Sequence, residues 1–277
     1  MKIFLALFII VLLWLPRIAR ANNYGQTSVM SQCPLGSPEA EEIFQEARKY
    51  WLGREGNKKN PKKAEEMFEK AMFMGHSKAP LAIGGIYKWD YRKQYAEDKR
   101  LKYMLRMYNE GIKMGCAEGH VLLAECYSKG WGVTLDYDKA VEEIKQGVAK
   151  GSPKAMEFYG QHLVQIKKRI EEGRDMLRKS MALGNGDAGD PLATSYLGKD
   201  DDRVYAALRN GSKLGSKRCL GRLAYNYLQG NYGQSKNKIL YDCVTKIEES
   251  INSFYPPKPV ENFDELCPHP TPLNVEP

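Results

Sequence analysis

Only four histidines occur in the 277 residues, and His76, His120, His162 and His269 stand far apart. None has the His-Glu-x-x-His spacing of a zinc hydrolase, and none accompanies a Gly-x-Ser-x-Gly nucleophile turn. No glycine loop that could cradle a phosphate is present. The stretch NGDAGDP, residues 185–191, lacks the alternating oxygen ligands that a calcium loop needs over about twelve residues. These absences leave no catalytic set, no metal site and no cofactor, so the chain is not expected to be an enzyme. Long runs of like charge are missing too. Lys and Arg number 42 against 34 Asp and Glu, a formal charge of +8 spread along the chain. That balance favours acidic protein partners and does not point to nucleic acid. Beyond the N-terminus no apolar run is long enough to span a bilayer, so no integral membrane segment is expected in the rest of the chain.

What is there begins with MKIFLALFIIVLLWLPRIARA. One lysine, an apolar run from Ile3 to Leu15 and a closing Ala19-Arg20-Ala21 read as a secretory signal peptide, residues 1–21. The run is shorter than the roughly 20 apolar residues of a spanning helix. Cleavage would remove Lys2, Arg17 and Arg20 and no acid, lowering the charge from +8 to +5. The expected product is exported. Six cysteines in an exported chain suggest disulfides, in more combinations than sequence can choose between. Cys219 and Cys243 lie equally far from the turn LQGNYGQ (228–234), so an antiparallel hairpin would set them side by side. Cys116 and Cys126 are too far apart if 117–127 is helical. Cys33 and Cys267 meet only if the tail folds back. The pairing of these four stays open, as does the alternative of small buried thiols.

A Gly-x-x-x-(Ala, Gly or Cys) spacing recurs six times, at Gly36, Gly75, Gly115, Gly151, Gly184 and Gly215. The intervals of 39, 40, 36, 33 and 31 residues mark stacked supersecondary units. Small residues stand four before these glycines (Ala71, Gly111, Gly147, Ser180, Gly211). Large apolar ones stand seven before (Phe68, Tyr108, Ile144, Leu177, Leu208). After each seam come a small column (Gly84, Ala124, Gly160, Ala193, Ala224) and a large one (Tyr87, Tyr127, Leu163, Tyr196, Tyr227). Such spacings lie on one helical stripe. Each unit is therefore expected to be a hairpin of two closely packed helices. The recurrent glycine ends the second helix in a left-handed conformation. Ser37-Pro38, Asn60-Pro61 and Ser152-Pro153 are expected to start helices as N-cap and first-turn proline. The acidic run at 199–203 is expected to cap another.

With these columns the chain resembles the Sel1-like repeat family, relatives of the tetratricopeptide hairpins. The unit at 117–155 carries the pattern most fully, in Ala124, Tyr127, Gly130, Gly132, Val133, Asp136, Lys139, Ala140 and Gly151. KWDYRKQYAEDKR (88–100) replaces the glycine turn in the second unit, and the fourth unit has none. The resemblance implies an all-α fold, a right-handed α-solenoid of about six hairpins over residues 37–253 with a surface that holds another protein. Residues 22–36 form an N-terminal extension and residues 254–277 a proline-rich tail. Exported bacterial members similar in layout include envelope adaptors and immunity proteins against lipase-type effectors of type VI secretion. The resemblance thus implies a periplasmic protein whose partner is a secreted phospholipase-type effector, or an adaptor for envelope proteins. A subgroup linked to β-lactam-like molecules spaces its cysteines across the seams, where this chain has Ile112 and His120.

Two features fall outside the repeat. The tail holds seven of the 14 prolines and must be extended. Its Phe254, Tyr255, Phe263, Leu266 and Cys267 are expected to anchor it against the last hairpins, capping an apolar end. The insertion at 86–100 presents Trp89, Tyr91, Arg92 and Tyr95, residue types favoured at protein interfaces. With Trp131 in the Gly130–Gly132 turn, these are the candidate partner-binding residues. An ordinary long turn, with Trp89 and Tyr91 packed on a neighbouring hairpin, is the alternative.

Overall fold

The computed structural model describes residues 33–166, 169–232, 234–251 and 259–269. The expected signal peptide and Phe254 and Tyr255 of the tail lie outside them. The described residues form helices and no strand. Six antiparallel pairs follow one another: α1 (Pro38–Leu52) with α2 (Pro61–Phe73), α3 (Ala79–Trp89) with α4 (Glu97–Lys113), and α5 (Glu118–Lys129) with α6 (Tyr137–Ala149). Then come α7 (Pro153–Gln165) with α8 (Ile170–Ala182), α9 (Gly189–Tyr196) with α10 (Asp201–Lys213), and α11 (Lys217–Gln229) with α12 (Lys238–Ser250). A single turn, α13 (Phe263–Leu266), closes the array. The result is an α-solenoid.

Local chemistry sets the helix limits. The side chains of Ser37, Asn60, Asp136, Ser152, Asp200, Ser216 and Asn237 each accept a hydrogen bond from the backbone N–H three residues on. These bonds satisfy donors that a helix start leaves open. Pro38, Pro61 and Pro153 occupy first-turn positions where their missing N–H costs nothing. All six recurrent glycines have positive φ, between 72° and 90°. The chain reverses there from one hairpin into the next.

Small residues let the helices touch backbone to backbone. A Cβ on Gly173 of α8 would lie 2.7 Å from the carbonyl of Gly160 on α7. Tyr108, Tyr196, Tyr227 and Phe68 fill the remaining space and are at most 1% exposed. Both ends of the array are tied. Near the start, Pro34 O accepts from Ser77 N–H (2.9 Å) and Ser77 Oγ (2.7 Å), and Cys33 is bonded to Cys116. At the far end, residues 260–267 lie on the last hairpins. Val260 N–H donates to Lys213 O (2.7 Å), and Arg209 donates to Asp264 and to Cys267 O (both 2.7 Å). Phe263 is buried, Leu266 is exposed, and Cys267 is bonded to Cys243.

This corrects the expected Cys219–Cys243 pair. The connection between α11 and α12 runs on to Asn237, so the centre of the turn slips and the two cysteines no longer face each other. Cys219 instead turns toward the preceding hairpin, with its Sγ 3.4 Å from Gly186 O. Cys243 faces the tail. Cys126 and Cys219 remain buried thiols, and burial pushes each up to about 12. Burial thus disfavours the thiolate form of both.

Candidate partner-binding face

The apolar core is interrupted in the middle of the array. One cluster of buried residues spans α1 to α4, a second joins Cys33, Tyr108, Cys116 and Leu123, and a third runs from Leu177 of α8 to the tail. Helix α6 contributes to none of them and buries only Ala140 and Gly147. Its Tyr137, Val141 and Ile144 repeat at the spacing of one helical stripe. Tyr137 is 64% exposed, and Val141 and Ile144 are half-buried. Ile144 stands in the column that holds the buried Phe68 and Tyr108. Across the seam, Leu163 stands where four other hairpins have Tyr87, Tyr127, Tyr196 and Tyr227. Leu163 itself is fully buried, and the open surface lies over α6.

The opening is a groove of about 470 Å³, floored by α6 and walled by Val121 and Ala124 of α5 and Phe158, Tyr159 and His162 of α7. Its volume falls in the range of functional pockets, and its lining is apolar, as theirs is. Glu125 and Lys129 stand on its edge.

Glu125 also faces the other way. It accepts from Lys88 Nζ at 2.6 Å, and Lys88 lines a second, polar pocket of about 350 Å³ with Arg92, Glu97, Arg100, Leu101 and Trp131. The Gly130–Gly132 turn brings Trp131 edge-on to Trp89, with ring centres 5.9 Å apart. Lys88 Nζ lies 4.2 Å from the Trp131 ring and 4.7 Å from that of Trp89, and the Arg92 guanidinium lies 4.6 Å over Trp89. Aromatic rings draw cations to their faces electrostatically, which holds this surface cluster together.

Trp89, Arg92 and Trp131, three of the candidate residues, are therefore neighbours. Tyr95 is 46% exposed but belongs to a different group, against Tyr87 and Tyr91. Tyr91 is not available to a partner. It is 4% exposed and donates to Glu65 at 2.5 Å. Burial and that carboxylate hold its phenol above the usual range. The insertion folds its middle inward because a single turn at Tyr91–Lys93 aims that ring at α2. The groove residues Tyr137, Phe158 and His162 were missed. Their signal was the apolar stripe from Tyr137 to Ile144.

One group of metal-ligand types converges among the described residues: Cys33, Cys116 and Glu118. Two of its three members are joined as a disulfide, so no thiolate is offered to a metal. No helix among the described residues is long and apolar enough to cross a membrane.

No family model matches the chain. Chitin synthase regulatory factor 4 of Schizosaccharomyces pombe is 27% identical over 131 residues, a match to 47% of this chain and 20% of that protein. The chain thus spans about a fifth of the length of this curated relative. Immunity protein Pa5087 from Pseudomonas aeruginosa superposes with a TM-score of 0.70 at 16% identity, covering 86% of this chain and 91% of its own. A Sel1 repeat protein from Oxalobacter formigenes superposes with a TM-score of 0.56 at 17% identity, covering 77% and 90%. The array of six glycine-sealed hairpins has the fold of the Sel1 repeat proteins.

Proposed function

We propose that this chain is a protein-binding repeat protein acting in the periplasm as an immunity protein against a secreted phospholipase-type effector of type VI secretion. The uncovered groove carries the reading. Tyr137 and Phe158 stand open at the groove, beside Trp89, Arg92 and Trp131. Rings and arginine are the side chains that dominate protein interfaces. An inhibitor of this kind need only cover an enzyme's mouth, on the order of 1,600 Å² of total buried surface. The likeness to immunity protein Pa5087, over most of both chains, supports this use of the face. A positive charge speeds encounter with an acidic enzyme.

The test is survival. A phospholipase effector encoded beside this gene is directed to the periplasm with and without the chain. Protection is expected, and its loss with Tyr137→Glu. Equal killing with and without the chain rules immunity out. The second reading is a periplasmic adaptor for envelope proteins, in keeping with a curated relative that is named a regulatory factor. Loss of an adaptor disturbs the envelope when no toxin is present.

A further inference from the structure

We infer that the polar pocket beside the groove receives a carboxylate. The partner segment is then an acidic one, with an Asp or Glu in this pocket and an aromatic or aliphatic side chain a few residues away in the groove. The inference rests on the reading of the groove as a docking face and names the chemistry that face selects.

Three cations, Lys88, Arg92 and Arg100, line the pocket with one acid, Glu97, and of the three Lys88 is already paired with Glu125. Elsewhere in the array several cations near the seams are matched. Lys154 and Arg218 meet Glu157, Arg222 meets Asp190, and Arg209 and Lys213 meet Asp264. Neither Arg92 nor Arg100 has a carboxylate partner among the described residues. Arg92 is exposed, with one nitrogen on Lys88 O at 3.2 Å. Arg100 is 7% exposed. Its Nη1 donates to the carbonyls of Tyr87 and Lys88 at 2.8 Å, and its Nε is without a partner. Helix α4 begins at this point, and Ala96 gives it no side-chain cap. Its open N–H groups and positive dipole end add to the same field, offset in part by Glu97 and Asp98 of the first turn. An arginine-lined pocket with an uncapped helix start is the environment that carboxylates bind best.

The neighbouring groove decides what kind of anion this is. It is apolar, and Glu125 stands between it and the pocket, bonded to Lys88. A polyanion laid along this face would meet Glu97 and Glu125. A segment with one acid sets that acid against the pocket's arginines, keeps its apolar anchor clear of Glu125, and fits the alternation of polar pocket and apolar groove.

The test pans a phage-displayed library of random 12-residue peptides on the purified chain. Selected sequences are made as C-terminal amides and measured by fluorescence anisotropy against wild type, Arg92→Glu and Tyr137→Glu. Both positions are exposed, and thermal melts confirm that the variants fold. Selected peptides should be enriched in Asp or Glu close to Phe, Trp or Leu. Each variant should weaken binding at least tenfold. Changing the peptide's acid to Gln should cost as much against wild type and nothing further against Arg92→Glu. If Tyr137→Glu weakens binding while Arg92→Glu and the Gln peptide do not, the carboxylate is overturned and the docking face stands. If no peptide is selected, or none responds to Tyr137→Glu, both fall. Binding of oligo-dT or phosphatidylglycerol vesicles that Arg92→Glu abolishes, without any peptide, also overturns the inference.

Discussion

A Cβ placed on Gly211 would lie 2.4 Å from the Sγ of Cys219 and 2.6 Å from the carbonyl oxygen of Gly186. The sulfur can turn aside, but the carbonyl belongs to the backbone turn that leads into α9, the partner helix of the same hairpin, and cannot move without opening that helix pair. Gly211→Ala is expected to destabilise the chain by about 1–3 kcal/mol, the usual cost of overpacking, read as a lower urea midpoint. His76 makes a different prediction. The ring is buried against Phe44, its Nε2 lies 2.8 Å from Glu41, and its Nδ1 has no partner. The arrangement suits a neutral ring that donates from Nε2, because a second proton on Nδ1 would be buried with no acceptor. Burial accordingly lowers its pKa below the usual 6.5, although Glu41 opposes the shift. The unfolded chain therefore binds the proton more readily than the folded one. Stability contributed by the neutral ring is present above the unfolded value and falls as pH drops through 6.5 toward the depressed folded value. Urea midpoints of the wild type should decline over that window, and His76→Gln should flatten that part of the decline.

At the scale of the element, the tail is held by a disulfide, a buried ring and the contacts of Arg209 and Lys213. Cys267 closes a loop to Cys243 with a sequence separation of 24, which chain-entropy arguments value at about 3 kcal/mol. Phe263 covers the end of the core, and Arg209 ties Asp264 and Cys267 O. Trimming residues 256–277 should lower the melting temperature. Cys267→Ser should lower it less, because Phe263 and Asp264 still dock. An unchanged melt for the trimmed chain would mean that the end needs no cover. The elements differ in how far sequence announced them. Caps at Ser37, Asn60 and Ser152 and the recurrent glycines were legible because each acts within a few residues of itself. The Cys219–Cys243 expectation failed on the register of a turn, and Cys267 reaches α12 only through a segment with no period. Tyr91 turned inward to meet Glu65, which lies 26 residues away, a distance no local pattern encodes. The groove was the hardest to see, since it joins residues of α5, α6 and α7 that no local pattern brings together.

Across the whole array, helices touch chiefly their neighbours in sequence. In such a stack each hairpin is stabilised by itself and by the seams on either side, so the terminal units open first. The Cys33–Cys116 bond works against this at the N-terminal end. It spans 83 residues and encloses the first two hairpins, α1 to α4, fastening the segment before them to the seam that follows them. Loop closure of that length is worth about 4 kcal/mol, and it acts on these hairpins alone. Lys88, Trp89 and Arg92 belong to the enclosed part, while Tyr137 and Phe158 lie beyond it, so the bond holds one side of the candidate face against the other. In the Cys33→Ser, Cys116→Ser double variant, hydrogen exchange should quicken through α1 to α4 and stay unchanged from α8 to α12. The urea transition should broaden or split as the stack loses cooperativity from that end. A single sharp transition, with exchange raised evenly along the chain, would show instead that the hairpins fold as one indivisible unit and that the bond adds only global stability.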